Sequence, residues 1–188
     1  MNLPTAITWL RIAIIPLLVA LYHVDWPAFD PVTVDRLAAG LFLLAALSDW
    51  LDGWLARRLG QTSAFGAFLD PVADKLIVAT ALVELVAQGR LDTWIAVVII
   101  GREIAVSALR EWMAGIGSRT SVAVNVLGKV KTAVQMTAIL LLLYNAPLAG
   151  LPLAAAGQQL AILAAVLTMI SMLVYLRAAL ASQSTAKS

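Results

Sequence analysis

The chain has 188 residues, 62% of them apolar and 13% charged, with a net charge of +2 and no cysteine; its mean hydropathy is +0.92. A soluble domain is about half apolar and about a quarter charged, so a water-soluble globule is excluded, and the missing cysteines exclude disulfides and thiolate metal sites. The small positive excess gives no argument for a nucleic-acid partner.

A helix needs roughly 20 apolar residues to cross the hydrocarbon core. The length therefore allows about six crossings with short loops, in a single membrane domain over residues 1–188. The first segment, 6–23, contains "AITWLRIAIIPLLVALY". It lacks a cleavage-like small-residue exit and further spans follow, so it is expected to be a retained helix. A polar loop, "HVDWPAFDPVTVD", leads to a second segment over 34–58. Thr33 and Asp35 suit its start, where acids favour a helix N-terminus; Arg57, Arg58 and Gly60 suit its end. A third segment covers 64–88 and stops at Gly89, a fourth covers 93–114, and a fifth 121–144. After the Pro/Gly turn "NAPLAGLPLAAAG" comes a sixth over 157–180, then a frayed tail, "ASQSTAKS". The fold expected is an all-α integral membrane protein with six transmembrane helices. Tryptophans near the segment ends fit an interfacial belt. His23, at a helix end, is expected to be solvated. Glu84, deep in segment three, either pairs across the bundle or reaches the outer interface.

Orientation follows from Lys and Arg. Of thirteen basic residues, all but Arg36 and Arg90 fall on the side that holds both termini. The positive-inside rule makes that side cytoplasmic, and "RRLGQTSAFG" lies there.

The stretch "SDWLDGWLARRLGQTSAFGAFLDPVADK", residues 48–75, carries Asp49, Asp52, Asp70 and Asp74, four of the eleven acids in the chain. On an ideal helix, Asp49, Asp52, Gly53 and Ala56 fall within an arc of about 100°. Gly66, Asp70 and Asp74 follow one another at i, i+4, i+8 on the next segment. Each helix thus offers a polar stripe, with Gly53 and Ala56 leaving space for a neighbouring helix or a ligand. A charged aspartate at mid-helix costs roughly 2.5–3.5 kcal/mol on insertion scales, and four together repel one another. Sharing protons along a pathway removes that conflict; so does binding hard cations such as Mg²⁺, Mn²⁺ or Ca²⁺. Four carboxylates balance two divalent ions, as in two-metal phosphoryl-transfer sites. A bland alternative is that the acids snorkel to the interface and pair with Arg57, Arg58 and Lys75. Pro71 should kink segment three.

The pattern Asp49-x-x-Asp52-Gly53-x-x-Ala56-Arg57, eight residues, then Gly66-x-x-x-Asp70-x-x-x-Asp74, resembles the signature of the CDP-alcohol phosphatidyltransferases. "PTAITWLRIAIIPLL", "GREIAVSALREWMA" and "LGKVKTAVQM" resemble the bacterial members that take glycerol 3-phosphate as acceptor. One departure is visible: where those members usually carry Asn before an xxTxxR pattern, this chain has Thr5, followed by Thr8 and Arg11.

The resemblance implies that family's membrane bundle, in a bacterial cytoplasmic membrane, as a homodimer. It implies transfer of the phosphatidyl group from CDP-diacylglycerol to glycerol 3-phosphate with release of CMP, assisted by two divalent cations, Mg²⁺ or Mn²⁺. Asp49, Asp52, Asp70 and Asp74 would hold the metals, and Asp74 would take the proton from the attacking hydroxyl. Gly53, Ala56, Arg57, Ser63, Gly66, Thr5 and Thr8 would bind the CDP-lipid. For the acceptor phosphate the residues offer Arg102, Arg110, Lys129, Lys131 and, more remotely, Arg177, each also readable as a topology anchor. Arg102 and Glu103 are adjacent in an apolar helix and are able to pair. With no Cys and no Ser–His pair suggested, direct displacement is expected rather than a covalent enzyme intermediate. Two other readings stay open: the same chemistry with inositol phosphate, serine or another alcohol, and a divalent-cation or proton transporter.

Overall fold

The computed structural model describes residues 3–59, 64–115, 126–147 and 150–185; within those ranges the side chains of residues 3–5, 50, 52–59, 64, 65, 67, 114, 126, 127, 129 and 178–185 lie outside the description. The described residues form six helices: α1 (Leu3–His23), α2 (Pro31–Leu59), α3 (Ala64–Ala87), α4 (Thr93–Gly115), α5 (Val126–Tyr144) and α6 (Leu153–Thr185). Three are long and apolar enough to cross a membrane, over Ala6–His23, Pro31–Asp49 and Leu153–Arg177. The others are shorter or carry more charge: α3 holds two aspartates, a lysine and a glutamate, and α4 two arginines and two glutamates.

Helix α1 packs on α2 and α3, α2 also on α5, and α6 on α5 and α4. The shared core is built from Ile14, Leu18, Phe42, Ile77, Leu82, Leu85, Ile95, Ile99, Ile139, Leu142 and Leu143, each nearly or wholly buried. Outward-facing positions are also apolar: Phe68, Val97 and Ile104 are each more than 60% exposed. An apolar exterior of this kind fits contact with lipid and not with water. Trp9, Trp26, Trp94 and Trp112 are exposed as well, as an interfacial belt requires. At Gly157 the α5–α6 contact is so close that an added Cβ would lie 2.8 Å from Leu142 Cγ.

The second helix starts earlier than its hydropathy suggested. Pro31 is its first residue, and Asp30 caps it, accepting a hydrogen bond from the Thr33 backbone N–H at 3.0 Å. This is the N-cap followed by Pro at the first helical position. The Thr33 hydrogen bonds hold the Asp30 carboxyl below its usual range. Asp35, expected to serve the helix start, is instead buried and paired with Arg90 Nη1 at 2.8 Å.

That pair belongs to a polar clasp at the end of the bundle opposite the four aspartates. Tyr22 Oη donates to Asp35 at 3.3 Å, Asn145 Nδ2 donates to it at 3.5 Å, and the Arg90 guanidinium lies 5.9 Å from the centre of the Tyr22 ring. Helix ends supply two of the partners. The Arg90 N–H bonds to the Leu85 carbonyl and the Gly89 N–H to that of Val86, with Gly89 at φ 68°. This is a Schellman stop, for which glycine is the residue of least strain. Asn145 takes the left-handed position after α5, at φ 48°. Nearby, buried Glu84 has both oxygens 3.2 Å from His23 Nε2. Glu84 thus pairs across the bundle, and His23, though 57% exposed, keeps one ring nitrogen on it.

Candidate active site

At the other end, α1, α2 and α3 bring three of the aspartates to one place. Arg11 is fully buried. Its Nη1 donates to Asp74 Oδ1, and its Nη2 lies 3.7 Å from Asp49 Oδ1. One turn earlier on α1, Thr8 Oγ1 donates to Asp70 Oδ1. Thr8 and Arg11 are three residues apart, so they share a face of α1; Asp70 and Asp74, four apart, share one of α3. The α1–α3 contact is therefore a matched pair of polar steps. On α2, the Ser48 hydroxyl donates to the Leu44 and Ala45 carbonyls at 2.5 and 3.2 Å, which keeps the polar group before Asp49 satisfied inside its own helix. Pro71 sits between Asp70 and Asp74; having no N–H, it leaves the carbonyl one turn back without its helical partner.

Beside the carboxylates lies a cavity of about 160 Å³ whose wall includes Arg11, Asp49, Asp74, Lys75, Glu103, Lys131 and Gln135. A water needs roughly 10–15 Å³ on this measure, so the space is large enough for a small molecule rather than a single water. Asp49 and Asp74 remain 53% and 41% exposed. On the same wall, Lys131 Nζ is 2.5 Å from Glu103 Oε1, and Arg102 Nη1 reaches the same oxygen at 2.8 Å. Arg102 Nη2 donates to Ser171 Oγ on α6 at 2.9 Å, and its guanidinium lies 5.8 Å from the centre of the Tyr175 ring.

The structure thus brings Asp49, Asp74 and Lys131 to one cavity, with the Thr8–Asp70 pair one turn away and Gly66 buried on the same helix as Asp70. Arg102 stands behind Glu103 and is not part of the cavity wall; Arg110 and Arg177 are exposed and also off that wall. Asp52, Gly53, Ala56, Arg57, Ser63, Lys129 and Thr5 have side chains outside the described residues. Arg11 went unrecognised as a site residue; its signal was the Thr8–Arg11 spacing. Glu103, read from sequence only as a neighbour for Arg102, is the acid that ties both cations together.

Among the described residues no three potential ligands close on a single point, and Asp49 and Asp74 instead share Arg11. The donor chemistry nevertheless fits a hard cation: the Asp49 and Asp74 carboxylate oxygens are partly exposed on the wall of the cavity.

A family model described as CDP-alcohol phosphatidyltransferase matches residues 1–181. The chain is 48% identical over 181 residues to a Salmonella choleraesuis protein named CDP-diacylglycerol–glycerol-3-phosphate 3-phosphatidyltransferase, covering 95% of this chain and 94% of that protein. It is 48% identical over 182 residues, with the same coverage, to the Escherichia coli K12 protein of that name, and equally similar to the one from Shigella sonnei.

Proposed function

The chain belongs to the CDP-alcohol phosphatidyltransferase family, and from that premise we propose that it is the enzyme moving the phosphatidyl group from CDP-diacylglycerol to glycerol 3-phosphate, giving phosphatidylglycerol phosphate and CMP. The observation that carries this reading is that Asp49, Asp74 and Lys131 line one cavity. An acid to take a proton and a cation to hold a phosphate in one cavity support this reading.

In this mechanism the acceptor phosphate sits on Lys131, supported by Arg102, with Arg110, Lys129 and Arg177 adding positive charge on the approach. The acceptor's terminal hydroxyl faces Asp74, which accepts its proton. The oxygen then attacks the phosphorus bearing the diacylglycerol; its bond to the CMP oxygen breaks, and CMP leaves. No enzyme nucleophile is needed. Arg11 fixes the directions of Asp74 and Asp49, and Thr8 that of Asp70, so the carboxylates need not reorganise during the reaction. Gly53, Ala56, Arg57, Ser63, Gly66, Thr5 and Thr8 border the CDP-lipid. Asp49, Asp52, Asp70 and Asp74 would hold two divalent cations, Mg²⁺ or Mn²⁺, which when bound neutralise the diphosphate and the departing CMP.

With six membrane crossings, as length and hydropathy suggest, the bias of basic residues toward one side supports cytoplasmic termini and a cytoplasmic active site. A homodimer is the family's expected assembly. A transporter reading is disfavoured because neither α5 nor α6 contains an acid to continue a relay. The test is CMP release from CDP-diacylglycerol by the purified protein with Mg²⁺ or Mn²⁺ and a panel of alcohols. Release should require glycerol 3-phosphate; equal release with inositol phosphate or serine would reject the acceptor.

A further inference from the structure

The described residues include three buried side-chain amide or hydroxyl oxygens with no hydrogen-bond partner: Gln135 Oε1, Gln158 Oε1 and Thr168 Oγ1. Of these, only Gln135 lines the cavity that holds Asp74 and Lys131. The residue is only 4% exposed, so its amide oxygen has lost water without gaining a protein donor. Such a loss is unfavourable, and an orphan of this kind calls for a partner.

Position indicates what that partner is. Gln135 follows Lys131 by one helical turn, about 6 Å along the axis of α5, and both border the same space as Asp74. A three-carbon phosphate reaching from Lys131 to Asp74 would carry its middle carbon through the space that Gln135 also borders. An amide oxygen accepts from a hydroxyl, and an amide N–H₂ donates to one, so a hydroxyl satisfies either orientation of this side chain. A second phosphate or a methylene does not.

We infer that Gln135 is a specificity-determining residue that hydrogen-bonds the non-reacting hydroxyl of the acceptor, selecting phosphorylated vicinal diols over phosphorylated simple alcohols. This rests on the proposed acceptor chemistry but adds a contact which that reaction does not itself require.

The test compares glycerol 3-phosphate with 3-hydroxypropyl phosphate, the same chain without the middle hydroxyl, using full-length protein at saturating CDP-diacylglycerol. The wild type should favour glycerol 3-phosphate roughly ten- to hundredfold in kcat/KM. Gln135→Leu should lose about that factor on glycerol 3-phosphate while staying within about twofold on the deoxy compound, so that the preference collapses. Gln135→Met, closer in shape, serves if the leucine variant does not fold. A wild type that uses both acceptors equally overturns the inference. So does a variant that loses activity on both by the same factor, the mark of a purely structural residue. A wild type that releases no CMP with glycerol 3-phosphate removes the acceptor reading itself, and this inference with it.

Discussion

Arg11 on α1 is completely buried and donates a hydrogen bond to Asp74 on α3. Its second terminal nitrogen lies 3.7 Å from Asp49 on α2, so one planar cation sets the relative positions of two helices' acids. Lysine, a point charge, does not reproduce that fork. Arg11→Lys should therefore lower kcat by roughly a hundredfold, the scale of a misplacement of about 1 Å, with little change in melting temperature. Arg11→Ala should lose stability as well. Steady-state kinetics beside thermal melts in detergent check both; an unaltered kcat in Arg11→Lys would remove the positioning role.

The clasp at the opposite end predicts the reverse pattern. Asp35 and Arg90 are mostly buried and 2.8 Å apart. Deleting one partner of a buried pair costs about 3–5 kcal/mol, and some exposure of Arg90 puts Arg90→Ala near the lower figure. The variant should melt earlier, with kcat and both KM values unchanged at low temperature.

Gly157 predicts a packing effect. A methyl group there meets Leu142 at 2.8 Å, and overpacking costs typically about 1–3 kcal/mol. Gly157→Ala should be destabilised by that amount, and with Leu142→Ala the double variant should lose less than the sum of the two single losses, because the two sites share one contact. Additive losses in a double-mutant cycle would contradict this.

Lys131 lines the same cavity as Asp74. Removing a charge-assisted hydrogen bond costs about 1.5–3 kcal/mol. Lys131→Met should therefore raise the KM for glycerol 3-phosphate by roughly 10- to 100-fold while leaving that for CDP-diacylglycerol nearly unchanged. Equal effects on both would show that Lys131 does not bind the acceptor.

The helices and the aspartate stripes were legible because hydropathy and an i, i+4 repeat are local properties. The start of α2 was misread because Asp30 and Pro31 act through capping, which a hydropathy window does not register. Asp35 looked like a helix-start acid, yet its partners Arg90 and Asn145 come from distant helix ends. Glu84 and His23 are 61 residues apart, so nothing local announces their pairing. Arg11 is hidden for a related reason: in sequence it is one more positive charge on the basic side, and only the approach of α1 to α2 and α3 makes it a bridge between carboxylates. Gln135 carries no charge and sits in an apolar run, so only burial without a partner marks it out.

The most direct test of the central claim is Asp74→Asn, measured for both CDP-diacylglycerol binding and single-turnover CMP release with glycerol 3-phosphate and Mg²⁺. The isosteric amide keeps the shape but cannot take the proton, so turnover should fall by about 10²–10⁴-fold while the CDP-lipid still binds. Wild-type turnover in that variant would contradict the account.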